Sequence, residues 1–527
     1  MNRKIAFVLT TVLIFCLCGC KGKKEVNAGT NFPGFDSSIE TGGTISAYML
    51  RPDTLNPLLT KIDTNRMALS LIFDPLFCID KTFTASPRLA TGYDISGGGQ
   101  TVTVYLRNDV TWHDGSPFSA DDVIYTVDNI LNEKNGSYYY PAMHELINSV
   151  RSSGKFTVIF NLNYADSGAV NLFTFPILKK HSGIMSDYFS TYSPLGTGAF
   201  KLNEYSGETA MTLVKNPGWK CGYAYIDGVN INILPDTDTV YSAFNSGLID
   251  FAKINWENAG KFSINKNITY NTLYTTNYTF VGLNTQNELL KNSGVRRILS
   301  YISGRKEIVG TLLNDYACAT DLPIHPKYAH FLASTPASDL ESVMAGTGCS
   351  LNDKGTMIFC DGSTGKSSPL SFTLLVNEEN SKRCSVAEYF SQAAADSGIT
   401  IHLKKVSYEN YISLIGNGEF DMYIGQTILS GDNNLTPFIG TNGYSNYGKY
   451  SNSESDSLLN ELLTSKDEPS RNEVLTKLQK KFREDMPYIP LYFENEMMVY
   501  NSKKLGNITP QMANNFFEFI KSCCVNK

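Results

Sequence analysis

The chain has 527 residues, 42% hydrophobic and 18% charged, enough for two or three packed lobes because single cores stop growing near ~250–300 residues. The charged share is below the ~25% usual for globular proteins, yet Tyr (30) and Phe (29) are abundant, which excludes a disordered chain and a small disulfide-stapled domain. A net charge of −6 leaves no global positive field to neutralise phosphates and argues against nucleic acid as the main partner.

The N-terminus reads as a leader. Arg3 and Lys4 form a positive n-region, and Ile5 to Leu17 an apolar h-region, shorter than the ~20 residues of a spanning helix. Leu17-Cys18-Gly19-Cys20 resembles the bacterial lipobox, which implies a signal peptide over 1–19, cleavage before Cys20 and acylation of its thiol. Residues 20–42, rich in Lys, Gly, Asn and Ser without apolar periodicity, read as a flexible tether. Acyl chains on Cys20 would hold the chain to the membrane, each buried CH₂ contributing about 0.8 kcal/mol. No later stretch approaches the ~18 apolar residues of a spanning helix, so the body is expected in water, on the extracytoplasmic face of the cell membrane.

From there the elements follow in order. Gly43 to Leu50 is a strand, and Thr64 to Phe77 has helical apolar spacing up to Pro75. Tyr93–Ile95 and Gln100–Leu106 form a hairpin about Gly97-Gly98-Gly99. Ser119 opens a helix with Asp122 in the reciprocal capping position, and Val123, Val127, Ile130 and Leu131 form its apolar stripe. Val150 to Leu162 is a second hairpin. Met211–Lys215, Val229–Pro235, Ile249–Phe251 and Thr279–Asn284 read as strands, with a helix over Thr237–Gly247 and a longer one over Val295–Leu313. Strands over Pro369–Val376, Ile399–Val406 and Phe420–Thr427 alternate with helices over Ser385–Ser397 and Tyr408–Gly416. Helices over Asp456–Thr464 and Pro469–Arg483 precede two short strands, Tyr488–Tyr492 and Met497–Tyr500. Strand–helix alternation after residue 210, with a strand-rich segment over 93–162, indicates an α/β or α+β protein of several lobes.

Chemical motifs are sparse. No cysteine pair has CxxC spacing. Cys349 and Cys360 flank a Gly/Asn/Asp-rich stretch and could close a hairpin disulfide, two free thiols being the alternative. Asp361 to Ser367 imitates the end of a phosphate-binding loop, but Cys360 stands where its first Gly would fall. The histidines form no metal-spaced pair, and no activated nucleophile stands out. Neither metal, cofactor nor catalytic residue is expected.

Several segments together resemble the solute-binding proteins of the peptide/nickel type that feed ABC importers. Leu106 to Val127 carries a Trp112-His113-Asp114-Gly115 turn followed by the capped helix. Further matching pieces are Thr54-Leu55-Asn56-Pro57-Leu58, Pro194 to Phe200 (PLGTGAF), Lys215-Asn216-Pro217, Gly294-Val295-Arg296-Arg297, Gly418 to Met422 and Met486 to Tyr492. The resemblance implies a periplasmic-binding-protein-like α/β fold of class II (cluster C), two lobes joined by a hinge with an extra inserted domain. It places domain I at 43–76, 191–279 and 487–527, domain II at 77–190 and domain III at 280–486. It implies a monomeric receptor that encloses an oligopeptide and passes it to an ABC permease and its ATPase. A nickel chelate, haem or sugar as ligand, or a peptide-sensing role, are the alternatives on the same fold; a lipid-anchored hydrolase is a more distant one.

A peptide ammonium enclosed away from water demands a carboxylate partner. The resemblance assigns that role to Asp432 in the loop Ser430-Gly431-Asp432-Asn433-Asn434, with Asn433 and Leu429 beside it. Relatives often carry a Trp just before this Asp; here Gln426-Thr427-Ile428-Leu429 has none. Lys382 or Arg383 would meet a ligand carboxylate. Met49, Leu50 and Arg51 after the first strand, and Tyr278 and Asn284 near the crossover, should face the cleft.

Overall fold

The computed structural model describes residues 35–182, 193–207, 209–255, 267–335, 337–509 and 511–526. The leader, Cys20 and most of the expected tether lie outside the described residues. Its last residues do not hang free: the Asp36 amide donates to the Tyr225 hydroxyl at 2.9 Å, the Gly42 amide to the Tyr225 carbonyl at 2.8 Å, and the Phe35 ring meets Tyr223 edge-on at 4.8 Å.

Apolar side chains collect into two cores. The first takes residues from Ile45 to Leu273 and from Met497 to Cys523. The second takes Tyr278 to Phe493, with Phe83 and Met512 reaching in from the other lobe. In the first lobe a four-stranded sheet runs Thr44–Leu50, Gly228–Leu234, Ala210–Lys215, Phe200–Tyr205, the first pair parallel. A second four-stranded sheet, from Ala90–Ser96 to Thr157–Leu162 and Ile147–Ser152, is antiparallel throughout. The capped helix Ala120–Leu131 lies nearby, its Val123, Val127 and Ile130 buried and the Ser119 amide donating to Asp122 Oδ2 at 2.9 Å.

The sequence signature and the glycine-rich segment brace each other. The His113 amide donates to the Gly196 carbonyl at 2.9 Å, and the Gly198 amide to the Ile72 carbonyl at 2.8 Å. A Cβ on Gly196 would stand 1.8 Å from Ile72 O, so only glycine fits there. This packing also shortens the expected Thr64–Phe77 helix to Asp63–Leu69, because the Leu71 and Ile72 carbonyls bond Phe200 and Gly198 instead of a further helical turn.

An eight-stranded mixed sheet joins the lobes. Its long members are Ile268–Leu283 and Tyr488–Asn501, antiparallel to one another. Each passes from one core to the other, between Leu273 and Tyr278 and between Phe493 and Met497. They are the hinge strands. Only Thr279–Asn284 of the first was legible, because its N-terminal half sets Ile268 and Leu273 on opposite faces among Thr, Asn and Tyr and shows no apolar alternation. The two short strands expected after Met486 are one strand of 14 residues. The expected Val295–Leu313 helix is broken at Gly304, which takes a left-handed φ of 61° between Ser293–Tyr301 and the next helical turns.

The proposed hairpin disulfide does not form: Cys349 and Cys360 are free thiols. Cys349 pairs with Phe359 across the ladder, and successive strand residues face opposite ways, so Cys360 points away from Cys349 and lies 3.1 Å from Ser367 Oγ.

Candidate functional site: the cavity at the hinge

A cavity of about 550 Å³ lies where the two cores meet the hinge strands. That volume is in the range of ligand pockets, ~300–1,000 Å³. The first lobe contributes Met67, Cys78, Tyr138 and Tyr139. The first hinge strand contributes Tyr274, Thr275, Thr276 and Asn277, and the second lobe Ile428. The pairing of the two hinge strands shifts register between Tyr274 and Tyr278, and Thr275, Thr276 and Asn277 line the cavity at that irregularity, where the Thr275 hydroxyl donates to the Glu494 carbonyl at 2.5 Å. Ile428 is 75% exposed, a large apolar side chain held open at the mouth.

Charge on the wall is arranged in pairs. Lys253 Nζ lies 2.9 Å from Glu496 Oε2. Arg66 pairs with Asp63, donates to the Thr60 carbonyl at 3.0 Å and stacks on Tyr138, 3.6 Å from its ring centre. Behind the wall sits a buried network in which Glu518, itself a lining residue, bridges Arg88 at 2.7 Å and Lys521 at 2.6 Å. Lys521 also approaches Asp74 at 3.6 Å, whose other oxygen accepts from Trp219 Nε1 at 3.0 Å. Burial acts to raise the Glu518 carboxyl, but Lys521 and Arg88 outweigh it and hold it below its ordinary 4.5.

The residues singled out from sequence are scattered about this cavity rather than gathered in it. Met49 is wholly buried in the first core, and the Leu50 amide donates to Thr64 Oγ1 at 3.0 Å. The Arg51 amide closes onto the Leu234 carbonyl at 2.9 Å. Tyr278 is buried in the second core, its hydroxyl without a hydrogen-bond partner. The Asn284 side chain donates to the Phe420 carbonyl at 2.9 Å, a structural tie. Leu429 is buried, its amide donating to the Thr276 carbonyl at 3.0 Å. Lys382 meets Glu494 of the second hinge strand at 3.2 Å, and Arg383 donates to Gln426 Oε1 at 2.5 Å.

Asp432 is 4% exposed. Its Oδ1 accepts the Asn434 amide at 2.9 Å, its carbonyl accepts from Arg471, and Asn433 takes a left-handed φ of 55°. Its carboxylate faces Asp166 of the first lobe, and it is not among the residues lining the large cavity. Sequence reading missed Asp166, Arg66, Lys253 and Glu496. The run Tyr138-Tyr139-Tyr140 was the one local signal of an aromatic wall.

Two cores, paired hinge strands passing between them and a polar-and-aromatic hollow at the crossing define a two-lobed α/β fold with a cavity at its hinge. The profile of the Bacterial extracellular solute-binding proteins, family 5 Middle, matches residues 84–449, and the chain belongs to that family. It is 24% identical over 528 residues to the oligopeptide-binding protein AppA of Bacillus subtilis (strain 168), covering 94% of this chain and 95% of that one. It is 23% identical over 442 residues to heme-binding protein A of Haemophilus influenzae, covering 77% and 78% of the two chains. Among solved structures, the periplasmic murein tripeptide binding protein MppA in its unliganded open form matches with a TM-score of 0.77 at 17% identity, over 92% of this chain and 97% of that one. A nickel ABC transporter protein from Bacillus halodurans matches with a TM-score of 0.73 at 21% identity, over 91% and 98%. These structural likenesses bear on the fold alone. No helix among the described residues is long and apolar enough to cross a membrane.

Proposed function

We propose that the chain is the lipid-anchored receptor of an ABC importer, tethered through Cys20, that captures an oligopeptide in the hinge cavity and hands it unchanged to the permease. The observation that carries this reading is the 550 Å³ hollow at the strands on which the lobes would turn. Its wall suits a short zwitterionic chain. Glu496 and Asp63 offer carboxylates for an ammonium, while Lys253 and Arg66 offer cations for a terminal carboxylate. Thr276 and Asn277 offer polar groups to ligand amides, and Tyr138, Tyr274 and Ile428 give adaptable apolar surface. In this reading domains I and II share the first core, with 77–190 as the insertion, and domain III forms the other lobe. Binding works by differential contact with open and closed forms, without bond chemistry. The protein acts as a monomer beside separate permease and ATPase subunits.

Thermal unfolding with peptide mixtures tests the ligand class, since a ligand at 100 times its Kd adds about 2.7 kcal/mol. Stabilisation by peptides is expected; stabilisation by nickel–histidine, haem or sugars and not by peptides overturns the peptide reading. The amine role of Asp432 requires its contact with Asp166 to part. On that role Asp432→Ala weakens free-amine peptides by more than ~2 kcal/mol and spares their acetylated forms; equal loss for both removes Asp432 from the site.

A further inference from the structure

Away from the cavity, the lobes touch along a seam built on main-chain groups. The Ser167 amide donates to the Leu463 carbonyl at 2.9 Å, Ser167 Oγ to the Leu462 carbonyl at 2.6 Å, and Asn171 Nδ2 to the Gly431 carbonyl at 3.0 Å. Gly99, at φ +88°, lets the first lobe approach so closely that a Cβ would stand 2.4 Å from Leu463 O. At the centre of this seam Asp166 of the first lobe meets Asp432 of the second, and both are buried.

The charge balance there is incomplete. Asp166 Oδ1 accepts the Gly168 amide at 2.8 Å, but no donor reaches its Oδ2. Arg471, on the helix packed against the seam, directs its guanidinium to the Asp432 main-chain carbonyl, and its Nε is without a hydrogen-bond partner. The other titratable groups around the pair add no positive charge: Tyr164 on the Asp166 segment, with Glu145 and Tyr444 near it, and Glu468 and Tyr328, which line a small cavity with Arg471. Two ionised carboxylates in contact cannot donate to one another. A proton on Asp166 turns two acceptors into a donor and an acceptor and removes one buried charge.

We propose that Asp166 and Asp432 form a proton-dependent latch between the lobes, which holds while Asp166 carries a proton and loosens when the proton leaves. Burial, and then the Asp432 carboxylate, push the Asp166 carboxyl from its ordinary 3.8 up to about 8 while the lobes touch. Because the raised value belongs to the touching state, the latch is fully favoured below about 4 and is lost as pH rises towards about 8, by at most about tenfold per pH unit. The inference does not depend on what the cavity binds. His325 works the other way: stacked on Phe83 at 4.3 Å where the lobes also meet, it is held neutral by burial, pushed down to about 3. It is unchanged in an Asp166 variant, so the difference between variant and parent isolates the latch.

The experiment follows the protein without added ligand from about pH 5 to about pH 9, by hydrogen exchange at the Ser167 amide, corrected for intrinsic exchange, and by small-angle scattering. In the unmodified protein Ser167 protection should fall by at least tenfold as pH rises and the molecule should lengthen. Asp166→Asn, which keeps a donor to Asp432 at every pH, should hold its protection and dimensions throughout. Unchanged protection in the unmodified protein overturns the proposal, as does an Asp166→Asn variant that loses protection in parallel with it. Should the variant not fold, the series on the unmodified protein still decides.

Discussion

Lys521 is a cation at 4% exposure whose partners are Glu518 at 2.6 Å and Asp74 at 3.6 Å. With Arg88 the four groups sum to zero charge. Replacing Lys521 by Met keeps the length and apolar stem of the side chain and leaves two buried carboxylates sharing one guanidinium. An ion pair near 4 Å at an effective dielectric of about 20 is worth about 4 kcal/mol, and breaking a buried pair from one side costs about 3–5 kcal/mol. The expected loss for Lys521→Met is therefore about 3–5 kcal/mol, confined to the first lobe. Trp219 donates to Asp74 at 3.0 Å, so its fluorescence reports this lobe during urea unfolding. The double variant Lys521→Met, Asp74→Asn restores neutrality and should recover more than half of the loss, the signature of coupling rather than lost packing. A single-variant cost below about 1 kcal/mol, the usual worth of an exposed pair, would refute the reasoning. The network also sets an acid limit. Glu518, held below 4.5, adds stability that is present above that pH and lost as pH falls through its lowered value; in urea melts followed by Trp219 fluorescence, the advantage of the unmodified protein over a Glu518→Gln variant should be full near neutral pH and shrink in acid, and an advantage that does not change with pH would count against the role of the network.

Two further outcomes follow from close packing. Gly196→Ala should cost about 1–3 kcal/mol in a urea melt of the first lobe, from overpacking against Ile72, and should expose His113 to faster amide exchange; an unchanged midpoint would show that the Gly196 contact relaxes. Tyr278→Phe should leave stability unchanged or raise it by about 1 kcal/mol, because the buried Tyr278 hydroxyl has no partner. A loss of ligand affinity with stability kept would return Tyr278 to the binding site.

Local chemistry was legible where a residue's neighbours in sequence are also its neighbours in space. The Ser119–Asp122 box, the Gly97–Gly99 turn and the alternation of Val102, Val104 and Leu106 all came through as read, because caps, turns and pleats act within a few residues. The family resemblance likewise rested on short segments such as Trp112 to Gly115, whose bonds to Gly196 and Gly198 explain why both pieces occur together.

The site was not legible in the same way. Arg66 and Tyr138, or Lys253 and Glu496, stand far apart in the chain, and in sequence each looks like an ordinary surface residue. The fold of the first lobe around the second hinge strand brings them to one hollow. Asp432 was noticed for its loop, but only the fold sets Asp166 against it and turns a candidate amine partner into half of a buried carboxylate pair. Composition, local element types and family signature were thus properties of the sequence by itself. The meeting of the lobes, the pairing of charges on the cavity wall and the free state of Cys349 and Cys360 were decided by the tertiary structure, because electrostatics and packing act over ångströms of space and take no account of separation along the chain.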